Sequence, residues 1–323
     1  MQSIRIMAAL SCIVLCPAPA QPQAYPSKPI KIVVAYAAGG ATDAIARVVA
    51  QRLTELWGLP VAIENKAGAN SQIGAAYVAK SAPDGYTLLA TADTTFVTNP
   101  YLYRSLPYDP IRDFAPISGL GAINQALVVH PSTALQNVAD LIALAKAKRG
   151  ELNYGSFGVG SASHLSMELL QAMTGVKLSA VQYKGGGPAI TDVIAGHIPM
   201  MFINVGLMLQ PWKAGKLRPL GIGSSERLVE FPELPTIAET LPGFRATFWF
   251  GLFAPSATPR NIVAKINTDV QRILVDADLR EKFLAPNFYK PVTGSPEQFA
   301  EYVKADAARW GKVIRDAKLA VEE

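Results

Sequence analysis

A repeated order of elements constrains this chain more than any other feature: an apolar run typical of a strand, a turn rich in small residues, and a helix with one apolar face. In the first copy, residues 30–36 favour a strand and residues 38–43 a turn, and Ile45, Val49 and Leu53 share one face of the next helix. Strands that alternate with helices are typical of parallel sheets covered by helices. The pattern therefore predicts an α/β fold.

The same order recurs in two blocks, which predicts two α/β lobes. The length of 323 residues agrees with this, since a domain holds roughly 150 residues. No linker rich in serine or glycine separates the blocks. We therefore expect structured, strand-like connections between the lobes, with residues 127–129 leading out and residues 248–253 returning.

The first twenty residues are typical of a secretory signal peptide. Arg5 gives a basic start, residues 6–15 form an apolar run, and Ala18 and Ala20 give a small-x-small cleavage pattern. The apolar run is about half of the ~20 residues that a membrane-spanning helix needs. We therefore expect export, with cleavage after Ala20.

Cleavage at that point would remove both cysteines, Cys12 and Cys16, and with them any disulfide, thiolate nucleophile or cysteine-bound metal. Half of the chain is apolar and only 17% is charged, which excludes wholesale disorder. The formal net charge of +5 is spread along the chain, without a basic run that alternates with aromatic residues. A nucleic-acid partner is therefore disfavoured.

Three predicted loops between a strand and a helix are rich in small residues: 39–43, 156–161 and 184–187. Ligands of parallel sheets bind at the carboxyl ends of strands, where such loops lie. The helix start behind each loop offers unpaired N–H groups and a partial positive charge, which suit an anion. Three loops together favour a carboxylate site, whereas any single loop could serve only to make a tight turn.

Sequence patterns of enzymes are weak here. The chain has neither a phosphate-binding Gly-x-x-x-x-Gly-Lys-Ser/Thr loop nor a Gly-x-Ser-x-Gly elbow, and we expect no cofactor and no metal. One alternative is a secreted serine hydrolase that uses Ser161 and His164, although no orienting carboxylate is identifiable. His164 could equally contact a ligand or hydrogen-bond its own loop.

An ordered set of segments resembles a known family over essentially the whole chain after residue 25. The segments are YPSKPIKIVV at 25–34, GGATD at 39–43, ENKAG at 64–68, PDGYTLL at 83–89, NPYLY at 99–103, LPYDP at 106–110, DFAPI at 113–117, YKG at 183–185 and PTIAE at 235–239. This set resembles the Bug family of periplasmic solute-binding proteins, which serve tripartite tricarboxylate transporters.

The resemblance implies a two-lobed, type II periplasmic-binding-protein fold of class α/β, in which each lobe is a mostly parallel sheet flanked by helices. Lobe one would comprise residues 25–125 and 248–323, and lobe two residues 126–247. The chain would act as a monomer in the periplasm. It would deliver a di- or tricarboxylate or an aromatic acid to membrane transporter subunits, or report that ligand as a sensor.

The resemblance also implies that the ligand lies in the cleft between the lobes. The residues that it places at this cleft are Tyr36, Gly39, Gly40, Ala41, Thr42, Asp43, Thr91, Thr94, Thr95, Ser156, Gly160, Ser161, His164, Lys184 and Asn204. Phe96 stands where the family often has histidine or a small residue. We interpret it as a core residue rather than as a wall of the pocket.

Overall fold

The computed structural model describes residues 25–148, 150–183 and 185–319. The predicted signal peptide, both cysteines and Lys184 lie outside the described residues. Strands occupy Ile30–Val34 (β1), Val61–Asn65 (β2), Thr87–Ala92 (β3), Phe114–Val129 (β4), Asn153–Ser156 (β5), Ser179–Gln182 (β6), Met200–Asn204 (β7), Arg218–Ile222 (β8) and Thr247–Pro255 (β9).

Helices alternate with these strands over most of the described chain. They occupy Ala41–Trp57 (α1), Gln72–Ala79 (α2), Thr94–Val97 (α3), Asn99–Leu102 (α4), Val138–Ala147 (α5), Ala162–Thr174 (α6), Gly186–Ile194 (α7), Val205–Lys213 (α8), Arg260–Leu274 (α9), Ala277–Leu279 (α10) and Pro296–Asp316 (α11). A 3-10 turn at Ile237–Glu239 and a π turn at Arg280–Leu284 complete the helical elements. No described helix is both long enough and apolar enough to cross a membrane.

Two long strands join the two lobes. Residues 114–124 of β4 pair with β9 in lobe one, and residues 125–129 of the same strand pair with β7 and β8 in lobe two. The strand order is β2-β1-β3-β9-β4-β7-β5-β6, with β8 also paired to β4. Residues 127–129 and 248–253 lie in these two strands, as expected, but the pairing of β4 changes from β9 to β7 at Asn124 and Gln125. The predicted lobe boundaries at 125/126 and 247/248 stay a prediction.

The sheet is parallel away from the junction and antiparallel at it. In lobe one β2, β1 and β3 are parallel, and in lobe two β6, β5 and β7 are parallel. The joining strands β4 and β9 run antiparallel to each other and to their other neighbours. The mixed sheet arises because the chain crosses between lobes along β4 and returns along β9.

Helix α1 follows directly from its sequence. Ile45, Val49 and Leu53 are buried on one face, and Asp43 gives a negative charge to the first turn, which complements the helix dipole. Gly58 ends the helix in the left-handed conformation at φ +64° and donates its N–H to the Thr54 carbonyl. This packing places the start of α1 at the carboxyl end of β1.

Helix α11 packs the lobes together. Its Trp310 is fully buried and stacks on Phe248 of β9, with ring centroids 5.4 Å apart. The adjacent hydrophobic cluster contains lobe-one residues such as Leu89 and lobe-two residues such as Leu127 and Leu165. In this structure the lobes therefore share one apolar core beside the junction.

Helix α2 approaches the end of β1 closely at Gly74, and a substitution at this position tests that packing. A Cβ at this position would lie 2.8 Å from the Ala35 Cα and 2.9 Å from the Lys66 carbonyl oxygen. These are backbone atoms that cannot rotate away, so Gly74→Ala should lower the free energy of unfolding by about 1–3 kcal/mol in urea denaturation. The matched control is Gly187→Ala in α7, where a Cβ meets no atom within 4 Å. Equal stability of both variants would contradict this packing.

Candidate ligand-binding cleft

The carboxyl ends of the parallel strands from both lobes face the seam between the lobes. β1 and β3 bring residues 36–43 and 91–95 to it from lobe one, and β5 and β7 bring residues 156–161 and 204–207 from lobe two. This is the position at which open α/β sheets bind ligands.

Asp43 shapes the loop before α1. Its Oδ2 accepts hydrogen bonds from the Gly39 N–H at 2.9 Å and from Arg47 Nε at 2.8 Å, and its Oδ1 accepts one from Asn65 Nδ2 at 2.8 Å. Burial alone would raise the pKa of Asp43, but these three hydrogen bonds hold it below its ordinary value. The Asp43 carboxylate is thus used to hold the loop in shape. Gly39 in this loop adopts φ +84°, a conformation that suits glycine.

The first turn of α1 is open at the seam. Its N-cap residue is Gly40, which has no side chain with which to cap the helix. The N–H groups at a helix start have no partner within the helix. The start of α1 therefore offers backbone donors and a partial positive charge.

A cavity of about 310 Å³ lies at this point between the lobes. Lobe one contributes residues 39–41, Ala44, residues 123–124 and the loop 286–289, and lobe two contributes residues 204–207. Ligand pockets commonly measure about 300–1,000 Å³. The cavity is thus large enough for a small organic acid.

Asn204 brings a second helix start to the same cavity. It is the N-cap of α8, but its side chain makes no capping hydrogen bond, and its Oδ1 is buried with no partner among the described residues. Buried amide groups are normally paired, and an Asn amide can present either its oxygen or its nitrogen. An unpaired amide beside an uncapped helix start is an arrangement that a ligand would complete.

The predicted threonines of lobe one form a buried hydrogen-bond network. Thr91 and Thr95 are fully buried, and Thr95 Oγ1 lies 2.5 Å from Thr91 Oγ1 and 2.8 Å from Ser71 Oγ. Burial raises the pKa of the nearby Tyr36, whose hydroxyl is buried without a hydrogen-bond partner among the described residues. The hydroxyls of Thr91, Thr95 and Ser71 are therefore paired with one another at the end of β3, and their contact with a ligand remains a prediction.

Four of the residues predicted in lobe two lie around the start of α6: Ser156, Gly160, Ser161 and His164. Ser161 is its N-cap and accepts a hydrogen bond from the His164 N–H at 3.4 Å. Ser156 Oγ bonds the backbone of Gly158, and Gly160 packs against Leu102 of lobe one, leaving no room for a Cβ. The loop is therefore tightly built where the lobes meet.

His164 is held inside this loop. Its Nδ1 accepts a hydrogen bond from the Gly160 N–H at 3.1 Å, and its Nε2 lies 3.6 Å from Glu168 Oε1. Burial lowers the pKa of His164 to about 4 and raises that of Glu168 above its ordinary value. The neutral ring fixes the loop, and the nitrogen that could accept a proton from Ser161 is already occupied.

Four of the predicted residues, Gly39, Gly40, Ala41 and Asn204, line one cavity. Thr42 and Asp43 follow in the first turn of α1, while the Thr91 and Ser161 groups lie at other parts of the seam. Phe96 is a core residue as predicted, because it is 5% exposed and stacks on Phe253 at 4.1 Å. Among the described residues, no cluster of three potential metal ligands occurs.

Sequence reasoning missed several residues that line the cavity. Asn124 lies on the joining strand β4, Leu207 lies in the first turn of α8, and Phe288 lies in a loop remote in sequence. A local signal exists for Leu207, since Val205-Gly206-Leu207 directly follows the apolar run 198–203. The loop 286–289 has no sequence pattern typical of a site, and tertiary contacts alone bring it here.

Two α/β lobes that are joined by two strands and enclose an uncharged cavity define the class of two-lobed solute-binding proteins. Comparison with known proteins gives the particular family. The profile of the "Tripartite tricarboxylate transporter family receptor" matches residues 45–319. The chain belongs to this family, which confirms the family and the fold class predicted from the sequence.

Relatives and solved structures agree with this assignment. Protein BugT of Bordetella pertussis is 36% identical, over 93% of this chain and 92% of its own. The structure of R. palustris Rpa4515 with adipate has a TM-score of 0.81 at 36% identity and covers 92% of this chain and 100% of that one. The structure of MatC from Rhodopseudomonas palustris with bound malate has a TM-score of 0.76 at 31% identity and covers 90% of this chain and 100% of that one.

The buried imidazole of His164 predicts a pH dependence of stability. Its pKa is about 4 in the folded protein against an ordinary 6.5, so between these values the unfolded chain binds a proton that the folded chain does not. The stabilisation is complete above pH 6.5 and is lost as the pH falls towards 4, by up to about 3 kcal/mol.

The measurement is urea denaturation at pH 7 and pH 4.5 for the parent protein and for His164→Asn, which keeps an acceptor for the Gly160 N–H but cannot be protonated. The variant should lose less stability than the parent between the two pH values. His130→Asn serves as the control, because His130 hydrogen-bonds to Ser132 and forms no ion pair with a carboxylate among the described residues, and it should keep the parent's pH dependence. A His164→Asn variant that also keeps it would refute the buried neutral ring.

Proposed function

We propose that this protein is a periplasmic receptor that captures a small carboxylate in the cavity between its lobes and delivers it to membrane subunits of a tripartite transporter. The observation that carries the proposal is the meeting of two helix starts, one from each lobe, at one cavity. Neither α1 nor α8 has a side-chain cap among the described residues. The Asn204 amide beside them has no partner for its buried oxygen in the described part of the chain, and with the amide turned its NH2 group would donate to a carboxylate.

A carboxylate can be held here without a charged side chain. Backbone N–H groups at a helix start point along the axis, and the helix dipole adds about half a positive charge. The first turn of α1 provides such groups at Ala41 and Thr42, and the first turn of α8 provides them at Val205 and Gly206. Charge-assisted hydrogen bonds of this kind are stronger than neutral ones.

A ligand at this cavity touches both lobes and so favours the closed arrangement. Residues 39–41 belong to lobe one and residues 204–207 to lobe two. A ligand shifts a conformational equilibrium only by its difference in affinity for the two states. Contacts that exist only when the lobes meet supply that difference, and transporter subunits could recognise the closed form.

The geometry at Ser161 does not favour the hydrolase alternative. Ser161 Oγ accepts from the His164 backbone and lies 3.2 Å from Ser163 Oγ, while the His164 ring accepts from Gly160. A serine nucleophile needs a base within hydrogen-bond reach of its hydroxyl. We therefore propose binding without chemical conversion of the ligand.

Two solved relatives support a carboxylate as ligand, since one was determined with adipate and the other with bound malate. The family is one of transporter receptors, in keeping with export of this chain by the proposed signal peptide with cleavage after Ala20. We further propose that the exported chain acts as a monomer, because the proposed site is complete within a single chain.

The proposal predicts that succinate or adipate stabilises the purified protein. A ligand that binds only the folded state raises the melting temperature, and the stabilisation grows with the logarithm of the ligand concentration relative to Kd. Refolded protein, freed of carried-over ligand, is melted with each acid at increasing concentration. The uncharged diamide of each acid is the matched control and should give no shift. The proposal fails if no member of a broad panel of mono-, di- and tricarboxylates shifts the melting temperature.

Asn204 provides the corresponding variant. Asn204→Ala removes a hydrogen bond to a charged ligand, which is worth about 1.5–3 kcal/mol, so the Kd should rise roughly ten- to a hundredfold in calorimetric titration. Asn153→Ala is the control, because Asn153 is exposed at the opposite end of β5. An unchanged Kd for Asn204→Ala would remove this cavity from the binding site.

A further inference from the structure

The walls of the cavity beyond the two helix starts are apolar. Ile123, Val205, Leu207 and Phe288 present hydrocarbon side chains to it. None of the described residues that line the cavity carries a charge. The body of a bound ligand therefore meets mainly carbon atoms.

The polar side chains of the wall are mostly occupied within the protein. The Tyr289 hydroxyl donates to the Ala41 carbonyl at 2.8 Å, and Asn287 Nδ2 donates to the Phe283 carbonyl at 2.8 Å. Asn124 is 9% exposed, and its Oδ1 accepts from Thr247 Oγ1 at 2.7 Å. These hydrogen bonds occupy one polar atom in each of the three side chains and so reduce the number that a ligand meets.

The apolar wall is held in place. Phe288 adopts φ +58°, a left-handed conformation that costs free energy in a residue with a bulky side chain. Its ring stacks on Phe231 of lobe two, with centroids 5.5 Å apart. Contacts across the seam thus offset the strain and keep this aromatic ring at the cavity.

Leu207 is the part of the wall that a ligand would cover. It is 50% exposed although it lines the cavity. Burial of its surface by a hydrocarbon would be favourable. A hydroxyl group placed against it would lose its hydrogen bonds to water without replacement.

We propose that the protein selects carboxylic acids with an unsubstituted hydrocarbon backbone over hydroxy acids of the same length. The inference rests on the proposed function, since it assumes that the acid lies in this cavity. It adds that Leu207 and Phe288 determine which acids are accepted. An unpaired hydroxyl buried in such a site weakens binding at least about tenfold.

The test compares acids that differ only in hydroxyl groups. Succinate is compared with malate, and adipate with galactarate, by calorimetric titration of the ligand-free protein. Each pair shares its chain length and both carboxylates. In each pair whose unsubstituted acid binds, the Kd of the hydroxy acid should be at least tenfold higher than the Kd of the unsubstituted acid.

The Leu207→Ser variant tests the wall itself. A serine hydroxyl at this position can pair with a ligand hydroxyl, so the ratio of the two Kd values should fall at least threefold. Val229→Ser is the control, because Val229 is 89% exposed on lobe two and does not line the cavity. This control should keep the parent's ratio.

The outcomes separate the two proposals. If no acid binds, the proposed function fails. If acids bind but malate and galactarate bind as tightly as their unsubstituted partners, the function stands and the selectivity is wrong. A Leu207→Ser variant that keeps the parent's ratio would also overturn the selectivity, because the apolar wall would then not be what the ligand meets.

Discussion

The pairing of β4 with three different neighbours is the constraint on which the rest of the structure depends. One strand of 16 residues pairs with β9 in lobe one and with β7 and β8 in lobe two. The lobes are therefore connected by main-chain hydrogen bonds rather than by a flexible linker. Because β4 passes from one lobe to the other near Asn124 and Gln125, this point fixes where the starts of α1 and α8 can meet.

The site uses backbone geometry in place of charged side chains. Asp43, in the first turn of α1, accepts hydrogen bonds from Gly39, Arg47 and Asn65 and so shapes the loop. His164 has the same kind of role in lobe two, where its neutral ring bonds to Gly160. Both residues position main-chain donors, and a carboxylate bound to such donors leaves the rest of the cavity free to select the ligand's body.

The sequence predicted those parts of the fold that local patterns determine. The strand, turn and helix from Ile30 to Trp57 follow from apolar spacing and glycine. Gly39 to Ala41 line the cavity, and their contact with a ligand stays a prediction. The full length of β4 was not predictable, because Pro116, Gly119 and Gly121 interrupt its pattern and lie at irregular pairings with β9. The contribution of Phe288 depends on contacts between segments far apart in the chain, which no local pattern encodes.

The central claim is that the two helix starts hold the carboxylate of the ligand between the lobes. The most direct measurement is a crystal structure of the protein with adipate or succinate bound. We expect one carboxylate within hydrogen-bond distance of the N–H groups at the start of α1 or α8, with the carbon chain against Leu207 and Phe288. A carboxylate bound elsewhere, paired with arginine or lysine side chains and leaving both helix starts unpaired, would contradict it.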